Sequence, residues 1–223
     1  MRPRTIAAPW IVGADGRQST VARRVGALPY HVGPHVTAVI YTIVNGLAAA
    51  QRPVTLWAHT AEASSTLAAD RENRRYLPGI TFPPNVRVAA DDAHLGEPYR
   101  LYLVAVPSAH VRDTLRRLAP TLDRNAAILS VVKGIEEGSQ RRMSEVIGEE
   151  LPGARVAVLS GPNLAREIAA GKPAGSVVAA DDTALADEMA ALLAGDRFRL
   201  YTNPDVIGVE LCGALKNVVA LAA

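Results

Sequence analysis

With 223 residues, 49% of them hydrophobic, the chain can bury an ample core in one large domain, or one domain and part of a second, and is neither disordered nor fibrous. Its 24 basic and 22 acidic residues leave a formal charge of +2, too balanced for nucleic acid or a membrane surface as main partner, while a small anionic substrate is allowed. The single cysteine, Cys212, excludes a disulfide framework and a Cys-rich zinc site and is consistent with the cytoplasm, and no apolar run is long enough to predict a membrane span.

Residues 1–40 hold five arginines, one acid (Asp15) and scattered Gly and Pro, with no lasting period of 3.6 or 2. Residues 1–34 are accordingly read as an irregular extension, not as the amphipathic helix of a transit segment. From Val36 onward short apolar runs alternate with helical stretches, the pattern of an α/β fold with a parallel sheet and helices on both faces. The predicted strands are Val36–Ile40, Val54–Trp57, Leu101–Val106, Ala126–Val131, Val156–Leu159, Ser176–Ala179 and Arg199–Tyr201. Helical spacing covers Ser108–Leu118, Ser139–Glu150, Leu164–Ala170 and Thr183–Leu193. Between Asn73 and Asn85, Pro78, Gly79, Pro83 and Pro84 rule out a helix or a central strand and predict a long loop.

The last segment, Asn203–Ala223, reads as one helix with Pro204 in its first turn, Asp205 at the positive end of its dipole and a single lysine, Lys216. Gly213 lies three residues before Lys216, Cys212 four before and Ala220 four after, so little bulk surrounds the ammonium group. An amphipathic helix whose lysine merely reaches to water would look similar.

In an open parallel sheet, ligands bind beyond the carboxyl ends of the strands. Those ends carry Trp57 to His59, Pro107–Ser108, Lys133–Gly134 and Ser160-Gly161-Pro162-Asn163. Asn163 is placed to cap the helix that follows, and Gly161 would let a ligand approach the backbone, which suits the loop to hydroxyls or a phosphate.

The passages VTLWAHT (54–60), NRRYLPGITFPPNVRV (73–88), VAVPS (104–108), SVVKGIE (130–136), LSGPNLAREIAAGKP (159–173) and YTNPDVIGVELCGALKNVVALAA (201–223) resemble, in order, the bacterial-type NAD(P)-dependent glycerol-3-phosphate dehydrogenases. The resemblance implies a Rossmann-like dinucleotide-binding domain over 35–202, with 203–223 as the first helix of a helical substrate domain. It implies reduction of dihydroxyacetone phosphate to sn-glycerol 3-phosphate by NADH or NADPH, with no nucleic acid partner, in the cytoplasm, and a homodimer as candidate assembly. By position, Lys216 matches the proton-transferring catalytic lysine, which also contacts substrate. Lys133 matches a lysine touching substrate and cofactor, Gly161 and Asn163 match substrate contacts, and Trp57, His59, Pro107 and Ala165 match cofactor contacts. Two ammonium groups converging on one site would each disfavour the other's charge while attracting an anionic substrate. His59 stands where a carboxylate would favour NAD and an arginine NADP, a slight lean to NADPH.

Two departures from the family pattern stand out. The expected strand His35–Ile40 leads into Tyr41-Thr42-Ile43-Val44-Asn45-Gly46 in place of G-x-G-x-x-G, and Gly13-Ala14-Asp15-Gly16 lies too far ahead to substitute. Residues 1–46 are therefore expected to be a scrambled or misread start. The sequence also stops at Ala223 inside the last helix, so the apolar positions Val218, Val219 and Leu221 are expected to drive association, and an inactive remnant is the alternative to an active enzyme. A dehydrogenase for another hydroxy acid is the third reading, and the complete KGIE and GALKN passages argue against it.

Overall fold

The computed structural model describes residues 53–222. The expected extension 1–34, the strand at 35–40 and the departure from the glycine pattern up to Gly46 lie outside the described residues. Residues 53–214 belong to one compact unit and residues 215–222 to another.

In the larger unit, β1 (Val54–Leu56) and β2 (Val86–Val88) pair in parallel as a two-stranded sheet. Helix α1 (Ala61–Asp70) follows β1, opened by Thr60, whose hydroxyl accepts the Ala63 N–H, and closed by Arg71 in the left-handed conformation at φ 53°. The Arg71 guanidinium donates to the carbonyls of Val86 at 2.6 Å and Pro83 at 2.7 Å. Those bonds tie down the proline-bearing loop, which, as expected, forms neither helix nor central strand and buries Leu77 and Phe82 against β1 and β2.

The second sheet has five strands in the order β3 (Leu101–Val104), β4 (Ala127–Ser130), β5 (Arg155–Ser160), β6 (Ala174–Ala179) and β7 (Phe198–Asn203). The pairs β3·β4, β4·β5 and β6·β7 are parallel, as the alternating pattern predicts, whereas β5 and β6 run antiparallel. The connection between them, residues 161–173, carries only the five-residue helix α4 (Ala165–Ala169).

Every residue of β4 is buried, as a central strand covered on both faces must be. On one face Ala127, Leu129, Ala157 and Leu159 pack against Leu185, Ala186, Met189 and Leu193 of α5 (Thr183–Leu193). On the other, Tyr102, Val104 and Ile128 meet α2 (Val111–Leu118) and α3 (Met143–Glu150). Helix α2 shows why it folds this way: Val111, Leu115 and Leu118 are buried along one stripe and Arg112, Arg116 and Arg117 lie outside it. Full burial of one such apolar side chain contributes about 1.5–3 kcal/mol.

The last helix, α6 (Val206–Ala222), starts later than the sequence suggests. Pro204 precedes it, and Asp205 caps it by accepting the Gly208 N–H at 2.7 Å, so the negative charge does stand at the positive end of the dipole. Val206 and Val209 pack on Val158 and Ala179, on the sheet face that α2 and α3 also cover. Among the described residues no helix is long and apolar enough to cross a membrane.

Candidate functional site

Strands β3, β4 and β5 run side by side in one direction, with Val104 opposite Ser130 and Ser130 opposite Val158, so their carboxyl ends share an edge. The residues that follow each strand meet there. After β3 come Pro107, which is exposed, and Ser108. A Cβ on Gly134 would stand 2.7 Å from Ser108 Oγ, so only glycine lets the β4 and β3 exits touch. The half-buried Lys133 donates from Nζ to the carbonyl of Gly161 at 2.7 Å, linking the exits of β4 and β5.

Helix α6 closes this edge from the side. A Cβ on Gly213 would lie 2.5 Å from Ser160 Oγ and 3.9 Å from Lys133 Cγ, so the helix backbone approaches to where no side chain fits. Ser160, Lys133, Gly161 and Gly213 therefore form one cluster: an ammonium, a hydroxyl and a carbonyl on bare backbone. Such a group can orient a small oxygen-bearing, negatively charged molecule.

Asn163 differs from its expected role as helix cap. It is buried, and its amide pairs with the hydroxyl of Ser176 on β6, donating from Nδ2 at 2.8 Å and accepting at Oδ1 at 3.0 Å. The position before α4 falls to Leu164, which makes no side-chain cap bond. A buried amide must find partners, and the hydroxyl on the neighbouring strand meets that need more fully than the start of a five-residue helix. Ala165 opens α4.

Trp57 and His59 stand at the exit of β1, on the smaller sheet. His59 is exposed and, with Ala58, Thr60, Ala61, Ser64, Asp91 and Arg117, lines an open hollow of about 410 Å³. The Trp57 indole N–H donates to Asp92 at 2.9 Å and the Arg117 guanidinium lies 5.1 Å from its ring centre, so both the edge and a face of the ring are engaged within the chain. Lys216 is exposed and belongs to the smaller unit, residues 215–222.

Two ionic networks support the edge without a clear sequence signal. In the first, Arg112 on α2 reaches Glu136 at 2.8 Å, Glu149 at 2.7 Å and Glu150 at 2.7 Å, fastening the loop that begins at Lys133 to α2 and α3. The Arg112 bond, with a second from Ser139, holds the Glu136 carboxyl down at about 2. In the second, Glu210 of α6 is buried against Arg142 and Ser144 at the start of α3. Arginine and glutamate spaced four apart on α2 and α3 hint at the first network. Nothing local hints at the second, because its partners lie 66 and 68 residues away.

The profile of the NAD-dependent glycerol-3-phosphate dehydrogenase N-terminus matches residues 41–186. A glycerol-3-phosphate dehydrogenase (NAD(P)+) from Corynebacterium glutamicum is 45% identical over 183 residues, 81% of this chain and 55% of that protein. One from Thermobifida fusca is 47% identical over 169 residues, covering 75% and 50%. The crystal structure of a glycerol-3-phosphate dehydrogenase from Coxiella burnetii superposes with a TM-score of 0.76 at 35% identity, over 82% of this chain and 56% of that one. The chain thus spans about half the length of the curated relatives it matches.

Proposed function

The chain belongs to the NAD(P)-dependent glycerol-3-phosphate dehydrogenase family, with that family's Rossmann-like α/β fold, and we propose that its chemistry is the reduction of dihydroxyacetone phosphate to sn-glycerol 3-phosphate. The observation that carries this reading is the position of Lys133: its ammonium is held at the shared strand edge by the Gly161 carbonyl, beside Ser160 and the bare face of α6 at Gly213.

When bound, NADH or NADPH supplies the hydride. The chain's own residues bind, orient and move a proton. Lys133 offers positive charge and N–H donors to the substrate and to the cofactor's reactive end. Lys216, in GALKN, is the proton-transferring group, giving a proton to the substrate oxygen during reduction and taking it back during oxidation. Gly161 presents backbone to the substrate, while Asn163, its amide committed to Ser176, holds that loop in place. Pro107, after β3, and Ala165, in the segment after β5, would help hold the cofactor. The hollow beside His59 has the size and small-residue lining to take the adenosine end, and without an arginine or a carboxylate at position 59 it leans only slightly to NADPH. A cytoplasmic setting and a homodimer belong to the same reading.

A second reading, a family member that keeps the fold but not turnover, is favoured by the sequence at 41–46, which lacks the glycine-rich pattern. Fluorescence titration with NADH and NADPH, followed by cofactor oxidation in the presence of dihydroxyacetone phosphate, separates the two. Turnover that disappears in Lys216→Met with cofactor affinity retained supports the enzyme. Cofactor binding without turnover supports the second reading, and absence of both overturns the assignment of a working cofactor site.

A further inference from the structure

We propose that Glu210 is a positioning residue: its buried carboxylate, docked on the first turn of α3, sets the rotation of α6 about its own axis and so holds the glycine face of that helix against Ser160 and Lys133. The carboxylate is 7% exposed and accepts three hydrogen bonds, from the Ser144 backbone N–H at 2.8 Å, the Ser144 hydroxyl at 2.6 Å and the Arg142 guanidinium at 2.8 Å. All three donors stand at the start of α3, where backbone N–H groups lack partners within the helix. A carboxylate there meets both a free donor and the positive end of the dipole.

Rotation is the property that needs fixing. The other contacts of α6 in the larger unit include Val206 and Val209 on Val158 and Ala179, and apolar packing is not directional. One turn beyond Glu210, Gly213 approaches Ser160 Oγ so closely that a helix turned by a single residue, about 100°, would present Cys212 or Ala214 where no side chain fits. A carboxylate held at both oxygens by donors on one rigid turn resists that rotation. A buried ion pair that only stabilised the fold could be replaced by apolar residues with no consequence elsewhere. A positioning residue is felt at the strand edge.

The link to catalysis rests on the roles proposed above for Lys133 and Lys216; the link to helix position does not. The chain contains three lysines, Lys133, Lys172 and Lys216, so labelling lysine with carbon-13 at Cε gives three signals. Lys172 pairs with Glu167 at the surface and serves as internal reference. In Glu210→Gln, and to a smaller extent in Ser144→Ala, which keeps the carboxylate, the Lys133 signal is expected to shift while Lys172 stays fixed. In the turnover assay, kcat is expected to fall about tenfold to a hundredfold, with KM for NADH within about twofold of the parent. An unmoved Lys133 signal in both variants, or an unchanged kcat, overturns the proposal. If Glu210→Gln fails to fold, Ser144→Ala decides. If the parent shows no turnover, that failure falls on the proposed function, and the Lys133 signal alone decides the role of Glu210.

Discussion

Replacing Gly161 with alanine places a Cβ onto Ser176 Oγ, 2.8 Å from the Gly175 carbonyl oxygen and 2.9 Å from Ser176 Cα. The hydroxyl could rotate away. The backbone cannot, because Gly175 and Ser176 are laddered to Arg199 and Leu200 of β7, so the loop after β5 has to retreat. Overpacking of this kind costs about 1–3 kcal/mol. Retreat also parts Asn163 from Ser176, and leaving such buried groups unpaired costs about 1–3 kcal/mol more. A mid-range loss of about 4 kcal/mol lowers Tm by about 8–16 °C in a chain of this size. The control is Gly148→Ala in α3, where the added Cβ meets open space and helix propensity should gain up to about 1 kcal/mol. Both variants and the parent are melted at one concentration and pH, followed by circular dichroism. A Gly161→Ala chain melting within about 2 °C of the parent would refute the steric argument.

Because Arg112 depresses the Glu136 carboxyl from 4.5 to about 2, the stability this pair contributes is complete above about pH 4.5 and is lost as pH falls towards 2. The gap in unfolding free energy between the parent and Arg112→Met, measured in urea, should therefore close across that window, and a gap that stays constant would count against it. Asn163→Ala should cost about 1–3 kcal/mol by stranding the Ser176 hydroxyl, and adding Ser176→Ala should cost less than the sum of the two single changes. Strict additivity in that cycle would mean the pair is not coupled. Leu129→Ala and Ile147→Ala empty fully buried sites on opposite faces of the larger sheet, and each should cost about 2–5 kcal/mol by denaturant unfolding. With no partners in common their effects should add within about 0.5 kcal/mol, and a larger discrepancy would show that the two cores communicate.

The elements read correctly from sequence are those whose own side chains carry the pattern. Val111, Leu115 and Leu118 mark α2, and Thr183–Leu193 forms the helix of the expected bounds. Other elements carry weak local signals. Helix α1, AEASSTLAAD, buries a serine and has no strong apolar stripe, and β2 is three residues long, directly behind a proline-bearing loop. The antiparallel pairing of β6 with β5 is set by which strand edges meet, which an alternating pattern does not reveal. At the site, Lys133 and Gly161 were recognisable because a strand end followed by such a residue is a local motif. Asn163 was legible as a polar residue before a helix, but its partner Ser176 is thirteen residues on. Glu210 gives no local signal of its role because its donors, Arg142 and Ser144, belong to the start of α3.

The reversal between β5 and β6 has a consequence for recognition. Both ends of the loop that carries Gly161 and Asn163 emerge from neighbouring strands, with Ser160 paired to Val177, and Asn163 is bonded across to Ser176. A loop closed on itself in this way loses its conformational freedom when the sheet forms. A molecule arriving at that edge would find the backbone already in place and would not have to order it. Selectivity among small anions there should then reside in fit and charge, with little contribution from loop adjustment.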